Sequence, residues 1–376
     1  MQPIGLYIHV PFCVSKCPYC DFYSARPTDD GALDRYATGV LAALDRWAAR
    51  LTAGTGEAPT ADTLYFGGGT PSLLGGERLA AILRRADERF SLFAGEPEVT
   101  LEANPADDLA DTLAAFAAAG GNRLSLGMQS ADERELALLG RRHTPADVER
   151  TVNAARSAGI GNISLDLMLG IPEQTGESVR RSAERIAALG ATHASAYLLK
   201  LEPNTRYGQC PPPLPDEDTT AELYMTAMQA LTDAGYRQYE ISNLAFPGRE
   251  SRHNLKYWNS DPYLGIGPAA SSCLGGRRFT YPRDTAAFLA GGEPVDEPDR
   301  EIPTGSPEEY AMLRLRLTDG IDAAAFAARF GRGLPETWRR RAEALPSPLV
   351  TVDGDGIRFT REGFLLSNTL IERILL

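Results

Sequence analysis

Short apolar runs alternate with longer amphipathic stretches up to residue 235, and this alternation predicts repeated βα units. Strands are predicted at residues 5–9, 63–66, 98–104, 123–129, 162–170 and 193–201. Helices, in which apolar residues recur at spacings of three and four, are predicted at residues 31–53, 76–90, 107–119, 132–158, 176–189 and 217–234. Six successive βα units imply a parallel sheet with right-handed crossovers.

The two faces of the predicted strands differ in polarity. Thr100 and Glu102 share one face of the third strand and apolar residues share the other, because successive side chains point to opposite sides. A sheet buried between two helix layers is apolar on both faces, whereas the inside of an incomplete barrel can be polar around a ligand. We therefore predict an α/β fold with a six-stranded partial (β/α) barrel at residues 1–235. Glu102, Gln129 and Asp166 then lie near its C-terminal rim, where such barrels assemble their sites.

The pattern changes after residue 235. Residues 236–305 are rich in Gly, Pro, Tyr, Asn and Arg without helical periodicity, and we predict an irregular linker segment there. From residue 306 onward, helical patterns surround two short alternating runs. These patterns predict a small α+β, winged-helix-like C-terminal domain at residues 306–376.

Charge and composition narrow the classes of partner. The formal net charge of −12 disfavours nucleic acid or an anionic membrane surface as the main partner. The N-terminal stretch lacks a signal-peptide pattern, and no apolar run approaches about 18 residues, so we expect neither export nor a transmembrane segment. Five cysteines, three of them crowded near the N-terminus, indicate thiolate chemistry in a reducing compartment rather than a disulfide framework. We therefore expect a cytoplasmic protein.

The crowded cysteines, Cys13, Cys17 and Cys20, have the spacing C-x3-C-x2-C directly after the first predicted strand. Three thiolates are soft ligands that suit an iron–sulfur cluster or zinc. A structural zinc site needs four ligands, and the sequence has no second pair of cysteines or histidines at ligand spacing, although His9 could serve as the fourth. A [4Fe-4S] cluster held by three cysteines would instead leave one iron without a protein ligand.

This motif resembles the signature of the radical S-adenosylmethionine (SAM) superfamily. The similarity extends to its oxygen-independent coproporphyrinogen-III-oxidase-like branch through LYIHVPFC, FGGGTPS, LEANP, LGMQS, LGRRH, SLDLMLGIPEQT and AYLLKLEPNT, and it covers nearly the whole chain. The resemblance implies a [4Fe-4S] cluster on Cys13, Cys17 and Cys20, with SAM on the open iron. It further implies SAM contacts at Tyr7, Tyr19, Gly68, Gly69, Thr70, Glu102, Gln129, Arg141, Asp166 and Lys200.

Two features resemble the heme chaperone subgroup of that branch. The decarboxylating oxidases carry another cysteine two residues after the third, whereas this chain reads Cys20-Asp21-Phe22. Residues 253–258 read HNLKYW, similar to the subgroup motif H-N-x-x-Y-W. The resemblance implies an imidazole ligand for heme iron and aromatic area beside the porphyrin, that is, heme contacts at His253, Asn254, Tyr257 and Trp258. From the residues alone, the same motif also suits a hydrogen-bonded loop and an aromatic domain junction.

One position departs from the subgroup pattern. Relatives typically read G-x-G-A-H-S after the motif, whereas residues 265–272 read GIGPAASS, so the histidine is missing near Ala270 and Ser271. If that histidine contacts heme in relatives, this chain binds porphyrin differently or less tightly.

The resemblance implies a heme chaperone that passes heme to an as yet unidentified acceptor protein. The alternative is a radical SAM enzyme acting on a tetrapyrrole, by oxidative decarboxylation of coproporphyrinogen III or by methyl transfer to heme and its degradation. Cleavage of SAM would also require an electron donor. A purely structural metal module is a third class.

Overall fold

Six parallel strands in sequential order form the centre of one large sheet. The computed structural model describes residues 2–29, 31–297 and 302–376. The six strands are β1 (Ile4–Val10), β2 (Ala61–Gly68), β3 (Glu98–Ala103), β4 (Arg123–Gln129), β5 (Asn162–Leu169) and β6 (His193–Leu198). Each pairs in parallel with the next one. All six predicted strands are therefore present.

Helices follow these strands along the chain, and the longer ones pack on the apolar face of the sheet. They are α1 (Ala32–Thr55), α2 (Gly75–Phe90), α3 (Ala110–Ala118), α4 (Glu133–Leu138), α5 (Pro145–Ser157), α6 (Gly176–Ala188), α7 (Arg206–Gln209) and α8 (Glu217–Asp233). The single helix predicted at 132–158 is wrong, because Gly140, at a φ of 64°, interrupts it and α5 restarts behind a Thr144–Asp147 capping box.

The opposite, polar face of the sheet is concave. The hydroxyl of Tyr239 lies 2.8 Å from His193 Nε2 on β6 and accepts a hydrogen bond from the backbone N–H of Ser251. Ser251 Oγ in turn lies 3.5 Å from Glu98 Oε1 on β3. Strands β3 and β6, which are separated by two other strands in the sheet, are thus linked by one short chain of contacts. Such a link agrees with the predicted incomplete barrel.

We predicted an irregular segment at 236–305, but its described residues form helices and strands. The boundaries of the three predicted domains stay a prediction. The segment contains α9 (Arg252–Trp258) and α10 (Thr285–Leu289). Its described residues also form six strands: β7 (Arg237–Gln238), β8 (Asn243–Ala245), β9 (Tyr263–Ile266), β10 (Ser271–Leu274), β11 (Arg277–Thr280) and β12 (Val295–Asp296). These strands extend the sheet at both edges, giving the open order β12-β11-β10-β9-β1-β2-β3-β4-β5-β6-β8-β7. Strand β9 runs parallel to β1 and the others pair antiparallel.

The C-terminal residues form a separate hydrophobic cluster, as the predicted small α+β domain requires. Its strands β13 (Ile321–Asp322), β14 (Val350–Val352) and β15 (Gly356–Phe359) pair antiparallel in the order β13-β15-β14. Its helices are α11 (Pro307–Arg314), α12 (Ala323–Phe330), α13 (Glu336–Glu343), α14 (Arg361–Leu365) and α15 (Ser367–Leu375). Phe326 and Trp338 lie in this cluster. Among the described residues, none of the helices is both long and apolar enough to span a membrane.

A buried ion pair joins this small domain to the large sheet, and we expect its loss to be costly. Arg278 Nε lies 3.0 Å from Glu309 Oε1, with only 2% of the glutamate side chain exposed. Removing one partner leaves a buried charge uncompensated, which costs about 3–5 kcal/mol. Glu309→Ala should therefore lower the free energy of unfolding by about 3 kcal/mol in denaturant titrations. Glu308→Ala, which changes the adjacent half-buried residue, is the control; similar small losses for both variants would contradict this account.

Candidate functional site

The three cysteines of the motif lie in the loop that follows β1. Cys13, Cys17 and Cys20 are partly exposed free thiols. The backbone N–H of Cys20 donates to the carbonyl of Cys17 at 3.2 Å. Cys13 Sγ lies 3.4 Å from Thr70 Oγ1, in the glycine-rich turn that follows β2. The loop therefore gathers three soft ligands beside a second motif of the sequence.

This donor set fits an iron–sulfur cluster better than a single zinc ion. In the described part of the chain, no three His, Cys, Asp or Glu side chains converge closely enough to hold one metal ion. His9, the possible fourth zinc ligand, has Nδ1 3.1 Å from the Tyr7 hydroxyl and Nε2 3.0 Å from the carbonyl of Tyr23. Three thiols in one loop are the donor set that a [4Fe-4S] cluster would use, and such a cluster would have one iron without a protein ligand.

The glycine-rich turn packs directly against the start of the cysteine loop. The backbone N–H groups of Gly69 and Thr70 donate to the carbonyls of Val10 and Phe12 at 2.8 and 2.7 Å. A Cβ atom on Gly69 would lie only 2.4 Å from the carbonyl oxygen of Phe12. Gly68 has a φ of 107°, a conformation that favours glycine. The turn and the loop therefore form one unit in which glycine is required.

Two carboxylates project from the polar face near the ends of β3 and β5. Desolvation by the surrounding protein raises the pKa of Glu102 to about 7, and the charge of Asp166 adds to that shift. Desolvation likewise raises the pKa of Asp166 to about 6. The guanidinium of Arg123, buried on the same face of β4, favours the ionised form of both. Near neutral pH these carboxyl groups can therefore change charge.

Gln129, Arg141 and Cys17 come together beside these carboxylates. Arg141 Nη2 donates to the carbonyl of Gly127 at 2.9 Å, and Nη1 lies 3.6 Å from Cys17 Sγ. A Cβ atom on Gly127 would lie 2.8 Å from both Arg141 Nη2 and Gln129 Nε2. Arg141 Nε is buried without a protein partner. Such an unpaired donor is suited to an anionic ligand group.

The two predicted tyrosines lie within the same region. Tyr19 adjoins Cys17 and Arg141, and desolvation raises the pKa of its hydroxyl. Tyr7 lies on β1, and burial likewise raises the pKa of its hydroxyl.

The structure places Lys200 outside this region. Its side chain is 81% exposed and pairs with Glu202 at 2.6 Å, so it is not brought into this group.

Sequence reasoning missed two residues that support this site. His143 Nε2 lies 3.0 Å from the carbonyl of Met128, in the peptide before Gln129, whose φ of 65° is unusual for a non-glycine residue. The motif LGRRH, which also holds Arg141, carried that signal. Tyr65 donates its hydroxyl to Glu102 Oε1 at 2.8 Å. Its position on the polar face of β2, two residues after Thr63, was the corresponding signal.

His253 of the HNLKYW motif is fully buried, and both of its ring nitrogens are occupied. Nδ1 lies 2.8 Å from Thr63 Oγ1, and Nε2 lies 2.8 Å from the hydroxyl of Tyr257. Desolvation lowers the pKa of the imidazole to about 3, so the ring is neutral. An axial ligand needs a free ring nitrogen. In this conformation His253 is therefore unavailable to heme iron.

Helix α9, which carries the motif, lies at the opposite end of the barrel from the cysteine loop. Glu98 accepts the backbone N–H groups of Arg252 and His253 at 3.0 and 2.9 Å. Lys256 Nζ bonds the carbonyl of Pro3 and pairs with Asp62. These partners stand at the N-terminal ends of β1, β2 and β3, so we call α9 the floor helix.

The remaining motif residues are partly buried in this conformation. Asn254 and Trp258 are half-buried, and the Asn254 backbone N–H donates to Ser251 Oγ at the start of the floor helix. The ring of Tyr257 packs edge-on against Tyr263, with centroids 4.6 Å apart. The hydrogen bonds of His253 agree with the second interpretation of the motif, whereas the ring contacts of Tyr257 are to His253 and Tyr263, both within the large sheet domain.

Comparisons with known proteins agree with the resemblance found in the motifs. Residues 7–186 match the radical SAM superfamily, and residues 305–366 match the HemN C-terminal domain. The chain is 37% identical to heme chaperone HemW of Escherichia coli over 380 residues, which cover 100% of this chain and 99% of the relative. It is also 37% identical to heme chaperone HemW of Mycobacterium tuberculosis over 387 residues, with 100% and 95% covered.

The fold has a solved counterpart. Coproporphyrinogen III oxidase (HemN) from Escherichia coli superposes with a TM-score of 0.83, covering 99% of this chain and 90% of that one, at 21% sequence identity. This likeness bears on the fold alone, whereas the full-length identities bear on the family. The chain belongs to the radical SAM superfamily and, within it, to the family of the heme chaperones HemW.

Proposed function

We propose that this protein is a heme chaperone of the radical SAM type, which binds heme and passes it to an acceptor protein. The observation that carries the proposal is the 37% identity to heme chaperones over the whole chain. The sequence Cys20-Asp21-Phe22, without the extra cysteine of the oxidases, supports the same choice. We place the action in the cytoplasm, because the crowded free thiols suit a reducing compartment.

Family membership implies a [4Fe-4S] cluster and SAM as cofactors, and we propose the following division of roles. Cys13, Cys17 and Cys20 would hold the cluster, and its one iron without a protein ligand would be open to SAM. When bound, the reduced cluster can supply one electron to SAM, which requires an external electron donor. The protein's own contribution is to bind and orient SAM over the polar face of the barrel.

We assign the SAM contacts from the chemistry of each side chain. Arg141, with its unpaired Nε, and Gln129 bind carboxylate or polar atoms. Glu102 and Asp166 hold ribose hydroxyls or the cationic methionine part. The remaining proposed contacts flank SAM along the loop, the turn and the rim: Tyr7, Tyr19, Gly68, Gly69, Thr70 and Lys200. Lys200 would first have to leave Glu202.

Heme contacts at His253, Asn254, Tyr257 and Trp258 stay a prediction. Coordination by His253 would break its hydrogen bonds to Thr63 and Tyr257 and would move the floor helix away from the sheet. Helices of this length can open locally at a cost below that of global unfolding. A heme site on the motif thus requires a second conformation of residues 252–258.

Heme titration of the anaerobically purified protein tests the proposed function. We expect stoichiometric binding with a distinct Soret band, followed by transfer of the heme to an apo-form heme protein. No stoichiometric binding would overturn the chaperone function, and conversion of coproporphyrinogen III to protoporphyrinogen would favour the oxidase instead.

His253→Ala separates the two interpretations of the motif, since an unchanged spectrum and affinity would remove His253 as the ligand.

A further inference from the structure

We propose that His253 and Tyr65 are positioning residues for Glu102, so that the floor helix sets the affinity of the rim for SAM. The inference rests on the proposed function, because it takes Glu102 as a SAM contact. It gives the HNLKYW motif a role in the heme-free protein that does not depend on heme coordination.

The first step is the link between Tyr65 and Glu102. The two residues lie on adjacent strands, and the Tyr65 hydroxyl donates to Glu102 Oε1 at 2.8 Å. A hydrogen bond to a charged acceptor is stronger than one between neutral groups. The bond fixes one carboxylate oxygen, and the backbone N–H of Gly68 also stabilises the ionised carboxylate. The position of the Tyr65 ring therefore determines where Glu102 can meet a ligand.

The second step is the link between Tyr65 and His253. Their rings stack with centroids 5.2 Å apart and planes inclined by 26°. Tyr7 completes an aromatic layer, with its ring 6.3 Å from Tyr65 and 6.4 Å from His253. A Cβ atom on Gly5 would lie 3.2 Å from His253 Cε1, so the layer has no free space on that side. The His253 imidazole thus fixes the position of the Tyr65 ring, whose hydroxyl bonds Glu102.

The third step is the anchoring of His253 itself. Thr63 and Tyr257 fix both ring nitrogens. Beyond the C-terminal end of the floor helix, Arg314 of the small domain donates to Asn259 Oδ1 at 2.5 Å, and Arg329 donates to the carbonyl of Asn259 at 3.2 Å. The floor helix is therefore clamped between the large sheet and the small domain. A ring held in this way can impose its position on Tyr65.

The test measures the dissociation constant of SAM for the reconstituted protein by equilibrium dialysis. Tyr65→Phe removes the hydrogen bond and should weaken SAM binding about tenfold. His253→Ala removes the stacked ring and should weaken it about fivefold. Because both act through one carboxylate, the double variant should bind little worse than Tyr65→Phe, which is the signature of coupled residues. Fully additive losses, or wild-type affinity in both single variants, would overturn the inference.

The pH dependence of SAM binding separates positioning from general loss of structure. The groups facing Glu102 are Tyr65 on β2, Arg123 on β4, Asp166 on β5, the neutral phenols of Tyr7 and Tyr257, and the Gly68 N–H. In the wild type, SAM affinity should rise with pH through the Glu102 pKa of about 7. The Tyr65 hydrogen bond favours ionised Glu102, so Tyr65→Phe should move that midpoint upward. A variant that is merely less stable would leave the midpoint unchanged.

Three controls keep the outcomes distinct. Tyr236→Phe removes another buried tyrosine hydrogen bond, to the carbonyl of Ala191, and should leave SAM affinity unchanged. If Glu102→Gln binds SAM like the wild type, the proposed SAM site fails. If Glu102→Gln loses SAM while Tyr65→Phe and His253→Ala do not, only the present inference fails. Should His253→Ala not fold, His253→Gln keeps a polar side chain without the stacking ring and replaces it in the comparison.

Discussion

Replacing Cys17 with alanine is expected to abolish the iron–sulfur cluster and, with it, the response of the protein to SAM. Cys17 supplies one of three thiols in the loop after β1, and His9, the other candidate ligand, has both ring nitrogens engaged. Loss of one ligand leaves two protein bonds to the cluster. Iron and acid-labile sulfide should fall from about four of each per chain to below about one.

Cys210→Ala provides the matched control for this prediction. Cys210 is an exposed free thiol outside the loop, so its loss should leave iron and sulfide unchanged. A Cys17→Ala protein that retains a full cluster would show that Cys17 is not a ligand. About one zinc per wild-type chain without labile sulfide would instead indicate a structural metal module.

Gly69→Ala is expected to weaken SAM binding at least about tenfold and to reduce cluster content. The added Cβ would lie 2.4 Å from the carbonyl oxygen of Phe12 and 2.9 Å from that of Val10. Both obstacles are backbone atoms at the start of the cysteine loop, which cannot rotate away as a side chain can. Overpacking of this kind typically costs about 1–3 kcal/mol, and here the strain falls on the loop that carries the cluster ligands.

Dialysis with SAM and iron analysis would measure the effect of Gly69→Ala. The control is Gly54→Ala in helix α1, where an added Cβ meets nothing within 4 Å and alanine favours the helix. That variant should match the wild type in both measurements. If Gly69→Ala matched Gly54→Ala in SAM affinity and iron content, the close contact between the turn and the cysteine loop would not be needed for either.

The polar rim of the barrel could be predicted from the sequence, because a strand encodes its two faces in a period of two. Glu102 and Asp166 were placed in this way, and the structure brings them together beside Arg123. Gln129 follows a shift in register after Leu126, which a strict period of two does not predict. The supporting residues were harder to predict. Tyr65 and His143 matter because of Glu102 and the Met128 carbonyl, partners that the folded chain alone brings to them.

The added strands and the floor helix could not be predicted for a related reason. Strands β7 to β12 have two to four residues each, too few to display alternation. Strand β9 pairs with β1, some 250 positions earlier in the chain, and nothing local in the sequence specifies such a pairing. The burial of His253 likewise depends on Thr63, which lies 190 positions away.

The location of the floor helix has a thermodynamic consequence for loading. If His253 coordinates heme, the floor helix must move away from the sheet, and Tyr65 loses its stacking contact with the His253 ring. Linkage is reciprocal, so SAM at the rim would then oppose heme at the far end by the same factor by which heme weakens SAM. Heme and SAM would antagonise each other through Tyr65 and Glu102 without touching, and delivery of heme would restore the affinity for SAM.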